Sequence, residues 1–250
     1  MFHFFAESSQ MSLEDKTLTI TGSDYNHIAN VLRMKVGEEL SVSLRDSEDG
    51  KEYRYGIEEI TEDTVICKLR FIKEDGLELP SKVYLFQGLP KADKMELIIQ
   101  KCVELGVYQV IPVSTKRSIV KLDEKKAESK IKRWQSISEA AAKQSKRRII
   151  PEVSKPVTMK QAVEMAKEMD VRLIPYELAE GMDKTREIIN SIEPGQSVAI
   201  FIGPEGGFDD KEIELCRENG IEPITLGKRI LRTETAGFTV LAWLGFHLDI

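Results

Sequence analysis

Short apolar runs separated by turn residues occupy the N-terminal part of the chain, up to about residue 73. One helix interrupts them, because Ser23 fits the N-cap position and Ile28, Val31 and Leu32 repeat with the helical period. Short strands at regular spacing predict a β-barrel or sandwich over residues 1–73. The predicted strands are Phe2 to Phe5, Thr17 to Ile20, Leu40 to Leu44, Tyr53 to Ile60 and Thr64 to Phe71.

The pattern changes after Lys73 to Pro80, a polar segment with Gly and Pro that predicts a linker and a domain boundary. From there, strands and helices alternate, which predicts a parallel α/β sheet of about five strands over residues 74–250. The predicted strands are Lys82 to Gly88, Val107 to Val113, Val171 to Pro175, Ser197 to Gly203 and Ile224 to Leu226. The helices between them are predicted at Lys91 to Leu105, Asp123 to about Arg147, Thr158 to Met169, Asp183 to Ile192 and Asp209 to Gly220.

The last segment, Thr233 to His247, is apolar almost all round. A helix without a polar face is buried, and at a chain end a second subunit can provide that burial. We therefore predict a homodimer through this helix.

Two glycine-bearing loops near the C-terminus follow apolar strands and continue into helices. Ligands of α/β proteins collect at the carboxyl ends of parallel strands, and glycine lets the backbone approach a ligand closely. The alternative is a pair of tight turns with no ligand. Neither GxGxxG nor GK[ST] is present, which argues against the common nucleotide sites. The loops contain Gly203, Gly206 and Gly207 in one case and Gly227 in the other.

Composition fits a globular protein of one or two domains, with 250 residues, 41% hydrophobic and 31% charged. No run approaches the roughly 18 apolar residues of a membrane span, and the N-terminus does not match a secretory signal. Three scattered cysteines, Cys67, Cys102 and Cys216, argue against a disulfide framework and against a zinc site. We expect a cytoplasmic protein without a metal.

Charge is distributed unevenly. Ser114 to Lys155 contains thirteen Lys and Arg against five Asp and Glu, a local charge of +8, which leaves −14 on the rest of a chain whose total is −6. A basic island in an acidic protein indicates a polyanionic partner such as nucleic acid, the alternative being a solvated helix face.

Ordered motifs along the whole chain resemble those of the bacterial 16S ribosomal RNA (uracil-N3)-methyltransferases of the SPOUT superfamily. One departure is His3, where the family commonly has Arg. The matching segments are His27 to Arg33, Val36-Gly37, Leu89 to Glu96, Lys101 to Gly106, Arg117-Ser118, Glu139 to Arg147, Gly203 to Phe208 and Leu226 to Ala236.

The resemblance implies an N-terminal PUA-like RNA-binding β-barrel and a C-terminal SPOUT α/β domain with a trefoil knot. It also implies S-adenosylmethionine (SAM) as methyl donor and a uridine in the decoding region of the small-subunit RNA as target. By the same resemblance, the cofactor residues are expected to be Leu173, Ile174, Pro175, Ile202, Gly203, Pro204, Glu205, Gly207, Leu226, Gly227, Ile230, Leu231 and Thr235. The residues expected to contact RNA are His27, Arg33, Lys91, Arg117, Gln144, Ser145 and Arg147.

Methylation of uracil N3 requires loss of its proton, so a fixed cation would stabilise the negative charge that spreads onto O2 and O4. We predict that Arg232 supplies this cation; the alternative is an ion pair with Glu234 or with a second subunit. No histidine lies in either loop to act as base, and Glu205 and Glu234 are the remaining carboxylates. Two other functions stay open, namely a non-catalytic ribosome-assembly protein that binds RNA and a related methyltransferase for another RNA position.

Overall fold

The computed structural model describes residues 1–47, 49–74, 76–120, 122–177 and 181–248. They form two compact units, each built from two stretches of chain. The first unit contains Met1–Glu78 and Ala142–Ile150, and the second contains Leu79–Ala141 and Pro151–Ile250. Residues 142–150 of the predicted basic island thus fold with the N-terminal strands.

The first unit is built on a six-stranded sheet with the order β1-β4-β5-β6-β3-β2. Strands β1 and β4 pair in parallel, and the other neighbours pair antiparallel. The five predicted strands are present within two residues at each end, and β2 is additional. Glu48 of a predicted turn and Asp75 of the predicted linker lie outside the described residues. The strands are β1 (His3–Ala6), β2 (Met11–Ser12), β3 (Thr17–Thr21), β4 (Glu39–Leu44), β5 (Glu52–Ile60) and β6 (Thr64–Lys73).

The predicted N-terminal helix begins earlier than the sequence pattern indicates. Helix α1 spans Gly22–Asn26 and continues as a π-helical turn over His27–Val31. Thr21 precedes it in extended conformation and is the N-cap, so the prediction of Ser23 at that position is wrong. Arg33, just after the helix, has a left-handed backbone with φ of 53°.

The two faces of this sheet differ in polarity because side chains alternate along each strand. One face covers the apolar core, which includes Phe4, Val42, Tyr53 and Tyr55. The residues beside them in sequence are polar yet buried, namely His3, Ser41 and Glu52. Segment Ala142–Ile150 supplies the charged partners of that polar face, described below.

The second unit contains a parallel sheet, with order β10-β8-β7-β12-β11-β13 and β9 paired to β8. The five predicted strands are consecutive neighbours from β8 to the edge strand β13, and the two-residue strands β9 and β10 are additional. The last strand spans Glu222–Ile224 rather than the predicted Ile224 to Leu226, and it ends there because the backbone of Thr225 bonds to a side chain instead of a strand. The strands are β7 (Val83–Gly88), β8 (Gln109–Ser114), β9 (Glu152–Val153), β10 (Val157–Thr158), β11 (Val171–Pro175), β12 (Val198–Ile202) and β13 (Glu222–Ile224).

Helices cover both faces of this sheet. Helices α4 and α6 pack on the face that contains Phe86 and Phe201, whereas α7 packs with α2 and α5 on the face of Leu85 and Ile202. The described helices of this unit are α2 (Lys94–Glu104), α3 (Glu124–Ser145, whose last four residues belong to the first unit), α4 (Met159–Ala166), α5 (Met182–Asn190), α6 (Asp210–Glu218) and α7 (Thr233–Leu248).

Local signals fixed several of these helix ends. The capping box of Thr158 and Gln161 is present, as is the start of α6 at Asp209, which forms a capping box with Glu212. Helix α2 begins three residues later than predicted, because Ala92 has a left-handed backbone with φ of 53°.

Helix α7 is apolar all round but is only partly covered within the chain. Val240, Leu241 and Leu244 are buried, whereas Phe246 is 91% exposed. The predicted homodimer through this helix therefore stays a prediction with an available apolar surface. No helix of the described chain has the length and apolar composition to cross a membrane.

Candidate functional site

The two glycine-bearing loops leave the same edge of the second unit's sheet. Strand β12 ends at Ile202 and β13 at Ile224, and β11 lies between them and ends at Pro175. Because the three strands are parallel, their carboxyl ends share one edge. The first loop, residues 203–209, leads into α6, and the second loop, residues 225–232, leads into α7.

A hydrogen bond joins these loops directly. The Oγ1 hydroxyl of Thr233, the first residue of α7, donates to the carbonyl of Gly203 at 2.6 Å. The side-chain amide of Gln87, at the end of β7, donates to Thr233 Oγ1 at 2.9 Å and to the carbonyl of Gly88 at 3.0 Å. Three segments that are distant in sequence are therefore held together by one buried polar chain.

Neither Gln87 nor Thr233 is predicted as a site residue from the sequence. Gln87 is fully buried. It is also a polar residue in an otherwise apolar strand, and buried polar groups need hydrogen-bond partners. That interruption of the apolar run is the signal that could have identified it.

The glycines of the loops meet two different needs. A Cβ atom at Gly203 would lie 3.1 Å from the Cα of Gly207, so any side chain there would crowd the turn. Gly207 and Gly227 have left-handed backbones, with φ of 66° and 101°. Beside Gly207 no described atom lies within 4 Å of a Cβ position, and beside Gly227 only the Met182 sulfur lies at 4.0 Å. Backbone at both glycines is thus open to a ligand.

Helix α5 holds the second loop through one buried hydroxyl. Thr185 Oγ1 donates to the carbonyl of Thr225 at 3.3 Å and accepts from its N–H at 3.1 Å. The Thr225 hydroxyl in turn accepts from the N–H of Gly227 at 3.2 Å. Thr185 is 1% exposed and was also missed by sequence reasoning, because a threonine within a helix carries no local sign of a distant loop.

The predicted cofactor residues surround this edge with graded burial. Most of the buried members lie at strand ends, whereas the exposed ones lie in the two loops and in α7, and among them Ile230 is 87% exposed. Those buried are Leu173, Ile174, Ile202 and Pro204; those of intermediate exposure are Pro175, Gly203, Gly207, Leu226, Gly227 and Leu231; those exposed are Glu205, Ile230 and Thr235.

Charged side chains connect the same loops. The Lys94 ammonium lies 2.9 Å from Glu205 Oε1, in the first loop, and 3.7 Å from Glu234 Oε2, in the first turn of α7. The Glu205 carboxylate also accepts the backbone N–H of Lys91 at 3.1 Å. Arg232 is exposed, and within the described chain it has no ion pair, so the alternative pairing with Glu234 is not formed.

The pKa values of this pair shift in complementary directions. Partial burial opposes ionisation of Glu205, but the hydrogen bonds from Lys94 and the backbone outweigh it and lower the pKa of Glu205. The hydrogen bond to Glu205 raises the pKa of Lys94. Glu205 is consequently a stable anion rather than a ready proton acceptor.

Two of the predicted RNA-contacting residues lie at the first loop. The Arg117 guanidinium donates from Nη1 to the carbonyl of Gly206 at 3.1 Å. Lys91 is exposed beside Glu205. The structure therefore brings the Arg117 side chain and the backbone of Lys91 next to the predicted cofactor residues.

The five others lie in the first unit, in or just after the π-helical turn that follows α1 and in residues 142–150. The Lys143 ammonium pairs with Asp24 of α1 at 3.1 Å, which brings the two stretches together. Exposure differs among the predicted residues: His27, Arg33 and Gln144 are exposed, and Ser145 is intermediate.

Arg147 is placed differently, since its side chain is 4% exposed and pairs with Glu78. The other Glu78 oxygen accepts the backbone N–H of Arg148 at 2.8 Å. Arg148 is buried too and pairs with Glu52 of β5. Arg148 thus attaches the segment to β5, while the Arg147 guanidinium is directed toward Glu78, outside the sheet.

His3 belongs to the same buried cluster. Its Nδ1 lies 2.9 Å from the Ser41 hydroxyl. Burial, reinforced by the nearby Arg148 charge, lowers the pKa of His3 to about 4, so the imidazole is neutral at physiological pH. The residue that departs from the resembled motif is thus interior in this chain.

Metal ligation has no clear candidate: within the described ranges, no three His, Cys, Asp or Glu side chains group closely enough to hold an ion.

Family models match most of the chain. A model described as an RNA methyltransferase domain matches residues 77–245, and one described as an RNA methyltransferase PUA domain matches residues 20–70. The ribosomal RNA small subunit methyltransferase E of Bacillus subtilis is 36% identical over 254 residues, covering 100% of this chain and 98% of its own. The protein of that name from Mesomycoplasma hyopneumoniae is 42% identical over 164 residues, 66% of this chain and 69% of its own.

Solved structures agree in fold. A putative methyltransferase from Legionella pneumophila, in complex with SAM, is 33% identical with a TM-score of 0.83, covering 98% of this chain and 97% of its own. The ribosomal RNA small subunit methyltransferase E of Neisseria gonorrhoeae, bound to SAM, is 27% identical with a TM-score of 0.82 and the same coverage.

Proposed function

The chain belongs to the family of ribosomal RNA small subunit methyltransferases E, and from that premise we propose that it transfers a methyl group from SAM to N3 of one uridine in the decoding region of 16S ribosomal RNA. The observation that carries the proposal is the hydrogen bond between Thr233 and Gly203. It joins the two glycine-bearing loops at the edge of a parallel sheet, where α/β proteins bind ligands.

The residues at this edge fit the cofactor. Leu226, Leu231 and the exposed Ile230 offer apolar surface for an adenine ring, and backbone at Gly207 and Gly227 is open to polar groups. When bound, SAM supplies the methyl group from its sulfonium. The knot implied by the resemblance is part of this proposal, with the loop around Gly227 to Arg232 as the threaded one.

The chain's contribution to the chemistry is position and charge. Uracil N3 must lose its proton, and the resulting charge spreads onto O2 and O4. Arg232 provides an exposed guanidinium with no ion pair in the described structure, so it can serve a substrate anion. Glu205 is poorly suited to take the proton, because Lys94 and backbone N–H groups stabilise its charged form.

Ribosomal RNA is held, in this proposal, through phosphate contacts of the basic island and of the first unit. Binding should therefore weaken steeply as salt rises. Because the target uridine is presented by folded RNA, we expect assembled small subunits to be better substrates than naked RNA. Equal rates on both would contradict this.

A homodimer through α7 completes the proposal. The exposed Phe246 and Ala242 lie on the face of α7 that the chain leaves uncovered. One chain has a mass of 28.4 kDa, and size-exclusion chromatography with light scattering should give twice that mass. A stable monomer at micromolar concentration would refute the dimer.

Methylation of small subunits with labelled SAM, followed by mapping of the modified nucleotide, tests the function. We expect one labelled uridine, modified at N3. Label at another position would indicate a related RNA methyltransferase, and the absence of both label and SAM binding would indicate a non-catalytic RNA-binding protein.

Arg232→Ala tests the assigned cation. Loss of a group that stabilises transition-state charge should reduce kcat by about 10²–10³-fold, with SAM affinity nearly unchanged. If the variant instead loses its folded structure, Arg232 has a structural role.

A further inference from the structure

Lys94 is the point at which the two loops are linked by charge. It is the first residue of α2, and its ammonium lies between Glu205 and Glu234, at 2.9 and 3.7 Å. One carboxylate belongs to the first loop and the other to the helix that follows the second loop. A single cation therefore bridges two segments that have no covalent connection nearby.

The surroundings of Lys94 leave few substitutes for it. Glu234 Oε2 is buried and has no hydrogen-bond partner in the described structure, so the Lys94 charge is what compensates it. Glu205 has the Lys91 N–H as a second donor, but that group carries no net charge. Without the ammonium, two carboxylates would repel each other across the loops.

We propose that Lys94 is a positioning residue that clasps the two cofactor loops, so that SAM affinity depends on its charge. The inference rests on the proposed function, because it concerns the same site. Lys94 acts through Glu205 and Glu234 and needs no contact with the cofactor itself. Pre-organised loops bind more tightly because less ordering is required on association.

The three side chains of this link are partly exposed, which limits what the link contributes to the stability of the fold. The side chains of Lys94, Glu205 and Glu234 are 29%, 26% and 16% exposed. Ion pairs in contact with solvent contribute little to the free energy of unfolding. Loss of Lys94 removes the charge that compensates Glu234 Oε2, but the Glu234 side chain is 16% exposed and can reach water, so we expect a small loss of stability beside a larger loss of SAM affinity.

The test compares Lys94→Met, Lys94→Arg and the control Lys101→Met by calorimetric titration with SAM. Lys101 is on the same helix and pairs with Glu104, three residues away, at 2.9 Å. We expect Lys94→Met to weaken SAM binding about tenfold or more, Lys94→Arg to restore most of it, and Lys101→Met to leave it unchanged. Thermal midpoints of the three variants should stay close together.

The outcomes separate this inference from the proposed function. If the unmodified protein binds no SAM, the proposed function fails. If it binds SAM and Lys94→Met binds equally well, the clasp is refuted while the function stands.

Should Lys94→Met fail to fold, Glu205→Gln and Glu234→Gln decide the question, since each keeps an acceptor oxygen and removes one charge. Weaker SAM binding, more so for Glu205→Gln because that pair is shorter, supports the clasp. Unchanged affinity in both overturns it.

Discussion

Charge pairs connect distant segments in both units, but they differ in burial. In the first unit, the Arg148 and Glu52 side chains are 1% and 6% exposed. In the second unit, the Lys94 and Glu205 side chains are 29% and 26% exposed. The first pair attaches residues 142–150 to the sheet, and the second joins α2 to a loop.

This difference decides what each pair controls. Removing one partner of a buried pair leaves an uncompensated charge away from water, which strongly destabilises a fold. Removing one partner of a partly exposed pair leaves a charge that water can solvate. Buried pairs in the first unit should therefore be detected by unfolding, and exposed pairs at the loops by ligand binding.

Glu52→Gln should cause the largest loss of stability among the substitutions that test this difference in burial. Arg148 Nε and Nη1 already lack hydrogen-bond partners in the described structure, and the substitution removes its carboxylate as well. We expect a loss of about 3–5 kcal/mol in the free energy of unfolding, measured by urea denaturation. Asp24→Asn, which breaks the more exposed pair with Lys143, is the control and should cost under about 1 kcal/mol. Equal losses would show that burial does not decide the outcome.

The sequence predicted the elements whose signals are local. Thr158 with Gln161 and Asp209 with Glu212 mark helix starts within four residues, and both capping boxes are present. The basic island was different: a local count places Arg147 and Arg148 on a charged surface. Both are buried, because Glu78 and Glu52, on distant parts of the chain, compensate them.

At the candidate site, sequence reasoning found the two loops but not what holds them. Glycines after apolar strands are a local pattern, so the loops were identified from residues alone. Gln87, Lys94 and Thr185 act on loops more than 30 residues away in sequence, and that pairing depends on how the strands are ordered in the sheet. The roles of the predicted site residues stay predictions.

The buried imidazole of His3 makes the stability of the first unit depend on pH. Its pKa is about 4 in the fold, because of burial and the nearby Arg148 charge, against 6.5 unperturbed; Glu52 opposes this shift and Arg54 adds to it. As pH falls below 6.5 the unfolded chain binds a proton that the folded chain does not, so stability is lost between pH 6.5 and 4. The loss should reach roughly 3 kcal/mol at pH 4. His3→Gln should remove this part of the slope in urea denaturation, and an unchanged slope would contradict the assignment.

Thr185→Val tests a neutral counterpart in the second unit. The substitution keeps the shape of the side chain but leaves the N–H and C=O of Thr225 without their partner. We expect about 1–3 kcal/mol lower stability, together with weaker SAM binding, because the second loop loses its anchor to α5. Thr185→Ser retains the hydroxyl and should behave nearly as the unmodified protein. Failure of serine to restore binding would point to packing of the methyl group instead.

Lys116→Met should have the smallest effect on stability, and it tests whether an exposed ion pair at the loop contributes to the fold at all. The Lys116 ammonium pairs with Asp209, the N-cap of α6, at 2.8 Å, but its side chain is 64% exposed. This hydrogen bond lowers the pKa of Asp209. Even without the lysine, an ordinary aspartate is charged at neutral pH, so the carboxylate keeps its bond to the backbone N–H of Lys211. We expect no change in urea denaturation beyond the error of the measurement, at low or high salt. A clear loss of stability would mean that position at the loop, rather than burial, sets the value of an ion pair in this protein.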